Sequence, residues 1–91
     1  MNAGSNYLKQ DELPNPNHLI ELANFRMPFG KYERKLLVNI PESYYVWFQQ
    51  KGFPQGKLGN MMKEMFEIKI NGLEDLIRPL IDEKLKRRPN L

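Results

Sequence analysis

The clearest pattern in the sequence is a stripe of apolar residues in its second half. From residue 58 onward, apolar side chains recur at intervals of three and four positions, the spacing that places them on one face of an α-helix. Asn71 and Gly72 follow the stripe, and both tolerate the left-handed backbone conformation that ends many helices. The pattern therefore predicts an amphipathic helix that ends near Asn71. The stripe consists of Leu58, Met61, Met62, Met65 and Phe66.

A second apolar stripe follows Gly72 and predicts another helix. Pro79 lies inside it, where the missing N–H and the ring cost about 3 kcal/mol, so we expect a kink rather than a full break. Two helices joined by a short connection pack antiparallel, and these two are expected to form the floor of the core. The second stripe consists of Leu73, Leu76, Ile77, Leu80, Ile81 and Leu85.

The first half of the chain contains two further helix signals. Asn15 precedes Pro16, whose fixed φ and missing N–H suit the first position of a helix, so a helix is expected over about 16–25. Pro41 gives the same signal at the start of "PESYYVWFQQK", and Gly52, which follows this stretch, is placed to end the helix. Residues 44–48 of this helix are all large and apolar or aromatic, so they point around much of its circumference. Some of this surface must be covered by neighbouring elements or be exposed for a partner.

Between these two helices the sequence predicts a β-hairpin. Pro28 removes a backbone donor and favours an extended conformation at Met27, so the first helix cannot continue. The runs "MPFGKY" and "KLLVNI" have the character of short strands, with a turn near Glu33 and Arg34. An isolated hairpin is marginally stable in water, so this one is expected to pack on the helices.

Together these elements predict an α+β fold that is mostly helical. It consists of a short N-terminal helix, one small β-hairpin, an aromatic helix and a C-terminal antiparallel helical hairpin. A chain of 91 residues has material for one core only. The first residues lack periodicity, so we expect residues 1–12 to be a flexible arm and residues 13–91 a single small domain.

The composition, 41% hydrophobic and 27% charged, is that of an ordinary globular protein. The chain has no cysteine, which excludes disulfide and thiolate chemistry. It shows neither a secretory signal nor a long apolar run, so we expect a small soluble cytoplasmic protein without a membrane partner. The net charge of +3 is uneven, because the basic excess lies in the segment 26–57 and the tail 84–91. Basic segments attract polyanions.

No enzyme signature is found in the sequence. "GFPQGKL" differs from a phosphate-binding loop, since its glycines are too close together and Leu58 stands where a magnesium-binding Ser or Thr is needed. His18, the single histidine, is expected to be a surface side chain rather than a base or a metal ligand. We therefore predict a protein that is not an enzyme, with no catalytic residue, metal site or cofactor, and we find no sign of a small-molecule substrate.

The basic residues of the central segment are interleaved with aromatic rings such as Phe29 and Trp47. Sites for single-stranded nucleic acid combine cations, which contact phosphates, with rings that stack on bases. The same rings could instead be packed in the core, and the same cations could be an ordinary solvated surface. The candidate nucleic-acid-binding residues are Arg26, Lys31, Tyr32, Arg34, Lys35, Lys51 and Lys57.

Three other features have both a structural and a functional interpretation. The start of the methionine-rich helix favours an anion beside Lys57, unless Gly56 is there for the backbone alone. The methionine stripe is either core or an adaptable partner surface. The tail "KLKRRPNL" is either the basic end of a helix or an arm for polyanions.

Four pieces of the sequence occur in an order and spacing that resemble a small bacterial family of unknown function, labelled "putative quorum-sensing-regulated virulence factor". The pieces are "MPFGKY", "IP..Y..WF", "KGFP.GKLG" and "EIK.NGLE.L.RPL", and they run from about Arg26 to Leu80. A similar module is attached to DNA-processing nuclease domains in some bacterial proteins, which implies an association with nucleic acid and names no activity. The resemblance implies structural or binding roles for Phe29, Gly30, Lys31, Tyr32, Trp47, Gly56 and Lys57.

The sequence departs from this family at one place. The family continues "GKY" with Lys and Gly, whereas this chain has Glu33 and Arg34. Loss of that glycine puts a tight turn with positive φ in doubt, and Glu33 weakens the basic character locally.

Two functions are therefore expected to compete. The first is a non-catalytic binding module that associates with nucleic acid through a basic and aromatic face, formed by the hairpin and the loop before the third helix. The alternative is a protein–protein interaction adaptor or homodimer that uses the aromatic helix or the methionine stripe.

Overall fold

A computed structural model describes residues 15–82, and this part of the chain is mostly helical. Helix α1 spans Pro16–Asn24, α2 spans Glu42–Lys51, α3 spans Gly56–Ile70 and α4 spans Glu74–Ile77. Two short 3₁₀ turns, at Leu37–Asn39 and Arg78–Leu80, complete the regular structure. The predicted arm, residues 1–12, and the basic tail, 84–91, lie outside the described residues.

Helix α1 begins where the sequence predicts. The side chain of Asn15 accepts a hydrogen bond from the backbone N–H of Asn17 at 2.7 Å, and Pro16 occupies the first helical position. Leu22 and Ala23 are the buried residues of this helix.

The predicted β-hairpin is wrong. Within residues 15–82 the β-type pairing is a single antiparallel bridge between Arg26 and Leu36. The run "KLLVNI" is not a strand, because it turns into the 3₁₀ segment at Leu37–Asn39 immediately after the bridge. Leu36, Leu37 and Val38 are consecutive and all buried, whereas a strand with one solvent face would alternate. Residues 26–36 therefore form a loop closed at its base, which we call the basic loop.

Helix α2 has an apolar side chain on nearly every face. Tyr45 is fully buried and donates a hydrogen bond from Oη to the backbone oxygen of Leu37 at 2.7 Å. Val46 and Trp47 are exposed. Gly52 ends the helix with a φ of 108°, a region that only glycine adopts readily.

The structure of α3 shows that the methionine stripe belongs to the core. Met61, Met62, Met65 and Phe66 are buried, so the methionines do not form a partner surface. The helix ends at Asn71, and Gly72 follows with a φ of 66°, as the sequence predicts.

The long C-terminal helix, and with it the antiparallel helical hairpin, is also a wrong prediction for the described residues. Helix α4 is a single turn that passes into the 3₁₀ turn at Arg78–Leu80, and Ile81 is already extended, with φ −68° and ψ 131°. Pro79 explains the change, since it cannot donate to a helical ladder and its ring clashes with the preceding turn. The segment breaks here, where a kink was expected.

The end of the described chain is held against α1 by one side chain. The Asn24 amide nitrogen donates to the backbone oxygen of Leu80 at 3.1 Å, and its oxygen accepts from the N–H of Asp82 at 2.8 Å. All four helices, the basic loop and the 3₁₀ turn at Leu37–Asn39 contribute to one core. Its buried members are Leu22, Ala23, Met27, Leu36, Leu37, Val38, Ile40, Tyr45, Met61, Met62, Met65, Phe66 and Ile77.

Candidate functional site

A row of contacting aromatic rings lies along α2. Tyr32, from the basic loop, contacts Tyr44 edge to face with ring centres 4.7 Å apart, and Tyr44 contacts Phe48 at 5.1 Å. Phe48 in turn stacks on Phe53 at 6.0 Å, while Trp47 lies edge-on to Phe48 at 5.0 Å. These separations are those of favourable aromatic pairs, so the five rings support one another. We call Tyr32, Tyr44, Phe48, Phe53 and Trp47 the aromatic row.

Trp47 is the member of this row that faces solvent. Trp47 is 51% exposed, although tryptophan side chains are highly buried on average. Lys51 follows it by four positions in the same helix, so the two side chains share a helical face. A planar ring and a nearby cation are therefore both available to a ligand at this position.

The tip of the basic loop rests on the same helix. Gly30 has a φ of 82°, and a Cβ atom there would lie 3.1 Å from the hydroxyl of Tyr44, so the loop approaches α2 closely. Lys31 places its Nζ 5.4 Å from the centre of the Tyr32 ring. Phe29, beside them, is 46% exposed. The structure thus joins Lys31 and Tyr32 to one end of the aromatic row.

The base of the basic loop lines a shallow depression on the surface. Three of the predicted cations, Arg26, Arg34 and Lys35, lie together here. We call this feature the basic depression, and its lining consists of Arg26, Glu33, Arg34, Lys35, Leu36 and Asn39.

Backbone hydrogen bonds hold the depression in shape. The N–H of Arg34 donates to the oxygen of Met27 at 2.7 Å, and the N–H of Met27 donates to the oxygen of Lys35 at 2.9 Å. Arg26 adds a side-chain bond from Nη1 to the backbone oxygen of Arg34 at 2.7 Å. Arg34 itself has a φ of 74° and is the only non-glycine residue of the described chain with positive φ. The tight turn is therefore kept although this chain has no glycine there.

Arg78 is a further cation at the depression that the sequence did not indicate. Its Nη1 donates to the side-chain oxygen of Asn39 at 2.8 Å. Asn39 lines the depression, so the guanidinium of Arg78 stands at its edge. The two residues are far apart in the sequence, and no local pattern connects them.

Lys57 does not join the other candidates. Its Nζ forms an ion pair with Glu21 of α1, so a carboxylate already occupies the position where the sequence predicted an anion. The seven predicted residues are consequently divided into three groups. Arg26, Arg34 and Lys35 line the basic depression, Lys31, Tyr32 and Lys51 border or belong to the aromatic row, and Lys57 is paired with α1.

Lys69 is a second residue that sequence reasoning missed. Its Nζ donates to the backbone oxygen of Val38 at 2.8 Å, and only 8% of its side chain is exposed. Burial lowers the pKa of Lys69, while Glu74, 3.9 Å away, acts in the opposite direction. This lysine ties α3 to the segment after the basic loop and is not presented to a ligand.

His18 and Glu64 form a further pair of titratable side chains. His18 lies 2.8 Å from Glu64, so a carboxylate distant in the sequence orients this partly exposed ring. Among residues 15–82 no group of three or more acidic, histidine or cysteine side chains could hold a metal ion. None of the helices in this range has the length and apolar character needed to cross a membrane.

Residues 15–80 match the protein family described as "Putative quorum-sensing-regulated virulence factor". This match covers more than half of the 91-residue chain. The chain belongs to this family. The resemblance expected from the sequence is thereby confirmed, and every residue of the aromatic row and the basic depression lies within the matched segment.

Two curated relatives of this family member carry the name "Uncharacterized protein YpeB", one from Escherichia coli K12 and one from Escherichia coli O157:H7. Each is 51% identical to this chain over 63 residues, which are 68% of this chain and 88% of the relative. No solved structure matches the chain.

Proposed function

We propose that this family member is a non-catalytic module that binds single-stranded nucleic acid across the aromatic row. The observation that carries the proposal is the exposed ring of Trp47, which rests on Phe48 and has Lys51 on the same helical face. An exposed ring beside a cation is the combination that sites for single-stranded nucleic acid use. Because nucleic acid of this kind is found inside the cell, we propose a cytoplasmic location.

Stacking of bases on the rings supplies the part of the binding free energy that does not depend on charge. Each base stacked on an aromatic side chain contributes about 1–3 kcal/mol, and the contribution depends little on base identity. Trp47 and Phe29 offer exposed ring surface, while Tyr44 and Phe48 support Trp47 and Tyr32 from beneath. We therefore expect weak sequence preference and a preference for single strands, whose bases are free to stack.

The electrostatic part of the binding comes from Lys31, in the basic loop, and from Lys51, at the end of α2. Neither lysine forms an ion pair within the described residues, so both remain available to phosphates. Each phosphate neutralised by a lysine releases counterions, so affinity falls with salt, with a slope of about −0.7 per contact for single strands. The side chains of the aromatic row are uncharged, so the two lysines supply the positive charge that attracts a polyanion.

The test is a titration of labelled oligonucleotides, followed by fluorescence anisotropy at about 50 mM and about 200 mM salt. Trp47→Ala is expected to weaken binding about tenfold, since one stacked base is lost. Val46→Ala is the matched control, because Val46 is the neighbouring exposed apolar residue of α2 and has no ring.

Three results would contradict the proposal. The first is the absence of binding to single-stranded DNA and RNA at the lower salt concentration. The second is equal loss of affinity in Trp47→Ala and Val46→Ala, since stacking requires a ring. A stronger affinity for duplex than for single strands would also count against the aromatic row as the binding surface.

A second candidate function is self-association, and one observation favours it. Leu76 is 67% exposed, and Ile70 and Leu73 at the same corner between α3 and α4 are exposed as well. We infer a homodimer in which this corner packs on its copy. Light scattering over a concentration series tests it: Leu76→Ser should shift the chain from dimer to monomer, and a native chain that stays monomeric at all concentrations excludes it.

A further inference from the structure

Two arginine side chains at the basic depression are held in place by neutral oxygen atoms. Arg26 donates from Nη1 to the backbone oxygen of Arg34 at 2.7 Å, and Arg78 donates from Nη1 to the side-chain oxygen of Asn39 at 2.8 Å. A neutral acceptor fixes a guanidinium without cancelling its charge. Each arginine has further N–H donors, in a planar fork that suits two oxygens of one anion.

The charge of the depression is strongly positive. Arg26, Arg34 and Lys35 form no ion pair within residues 15–82, and Glu33 is the only acidic side chain in the lining. The groups on the far side of Arg78 are mixed, because Lys69 lies there together with Glu74 and Glu42. Glu74 forms an ion pair with Lys69 on that side. Within the lining itself, three cations stand against the single carboxylate of Glu33.

We propose that the basic depression binds the terminal phosphate of a nucleic-acid strand. A terminal phosphate carries a charge of about −1.5 to −2 at pH 7, whereas a phosphate within a strand carries one charge. Arginine forks pair with two phosphate oxygens at once, and such charge-assisted bonds are about twice as strong as neutral ones. A concave site with several unpaired cations therefore fits the dianion at a strand end better than an internal phosphodiester.

The basic loop connects this depression with the aromatic row. Tyr32 and Arg34 are two residues apart, a distance of about 7 Å at most along the chain. A strand whose terminal phosphate lies in the depression would therefore have its first bases near Tyr32. This part of the inference rests on the proposed function, while the phosphate site itself does not.

The experiment compares one single-stranded oligonucleotide in three forms: with a 5′-phosphate, with a 3′-phosphate and with neither. Inorganic phosphate is titrated separately, with the backbone amide signals of Arg34 and Asn39 followed by NMR. We expect one phosphorylated form to bind about tenfold more tightly than the unphosphorylated one, as a charged hydrogen-bonded group should. Saturable shifts at both amides are expected with inorganic phosphate.

Variants show where the preference arises. Arg78→Gln and Lys35→Gln should each reduce the preference for the phosphorylated form to about twofold or less. Lys35 is an exposed residue at the surface of the loop, so its variant remains informative if Arg78→Gln fails to fold. Lys51→Gln is the charge-matched control: it should weaken both forms alike and leave their ratio unchanged.

The outcomes separate this inference from the proposed function. Equal binding of all three oligonucleotides, with no amide shifts in phosphate, overturns the phosphate site and leaves strand binding standing. Saturable shifts in phosphate without any strand binding overturn the proposed function and the strand end as the ligand, and support a phosphate site alone. A preference that survives both Arg78→Gln and Lys35→Gln overturns the assignment to this depression.

Discussion

Gly59 lies so close to Pro54 that a Cβ atom at position 59 would stand 1.8 Å from the backbone oxygen of Pro54. The loop between α2 and α3 crosses directly over the first turns of α3 at this point, and only glycine leaves room for it. We predict that Gly59→Ala lowers the free energy of unfolding by about 1–3 kcal/mol, because the loop backbone must move. Urea denaturation measures the change.

Asn60→Ala is the control for this substitution. Asn60 is the next residue of α3 and is exposed, so alanine there should be neutral or slightly stabilising through its helix propensity. Equal stability of Gly59→Ala and the native chain would contradict the close approach of the two backbones.

Arg34 adopts a backbone conformation that favours glycine. Its φ of 74° costs an ordinary residue about 1–2 kcal/mol. Arg34→Gly removes this strain and adds some freedom to the unfolded chain, so we predict a net gain in stability of about 0.5–1 kcal/mol. Thermal and urea unfolding measure it.

Lys35→Gly provides the comparison at the neighbouring position, which has no positive φ. It should destabilise the protein by up to about 1 kcal/mol, because glycine there adds only unfolded-state entropy. A stabilising Lys35→Gly, or a destabilising Arg34→Gly, would show that the turn is not strained at Arg34.

Much of the helical structure could be predicted because its signals are local. The pairs Asn15–Pro16 and Asn71–Gly72 mark a helix start and a helix end, and the structure has both boundaries where the sequence placed them. The hairpin could not be excluded, because Leu36 to Ile40 is a short apolar run. Such a run fits a buried strand as well as any other buried segment, and only the tertiary structure decides between them.

Part of the candidate site could be predicted, because adjacency and position within a helix are local features of the sequence. The sequence showed that Lys31 and Tyr32 are adjacent, and it placed Trp47 and Lys51 in one predicted helix. It could not show that Lys57 pairs with Glu21, since this contact depends on how α1 packs against α3. Contacts between residues distant in the sequence leave no periodic signal.

Tyr45 should make stability depend on pH in the alkaline range. Burial, with a smaller contribution from Tyr44, raises the pKa of Tyr45 above its ordinary value of 10.0. Above that value the unfolded chain loses the Tyr45 proton while the native chain keeps it. Stability from this group is therefore complete below about pH 10 and falls at higher pH by up to about 1.4 kcal/mol per pH unit.

Tyr45→Phe isolates this effect from the other tyrosines. At neutral pH the variant should lose about 1 kcal/mol, because the hydrogen bond to the Leu37 oxygen is gone, although Ile40 still donates to that oxygen. Urea denaturation between about pH 8 and pH 11 should then show the two stabilities converging as pH rises. A constant difference would mean that Tyr45 titrates normally in the native state.

Lys57 and Lys31 carry the same charge, yet they should contribute differently to nucleic-acid binding. Glu21 forms an ion pair with Lys57, whereas Lys31 lies over the Tyr32 ring without a carboxylate partner in the described chain. We predict that Lys31→Gln reduces the salt slope of single-strand binding by about 0.7, the value for one lost phosphate contact. Lys57→Gln should leave the slope unchanged and alter affinity less than about twofold. Anisotropy titrations at several salt concentrations measure both slopes, and equal slopes for the two variants would contradict the different roles of the two lysines.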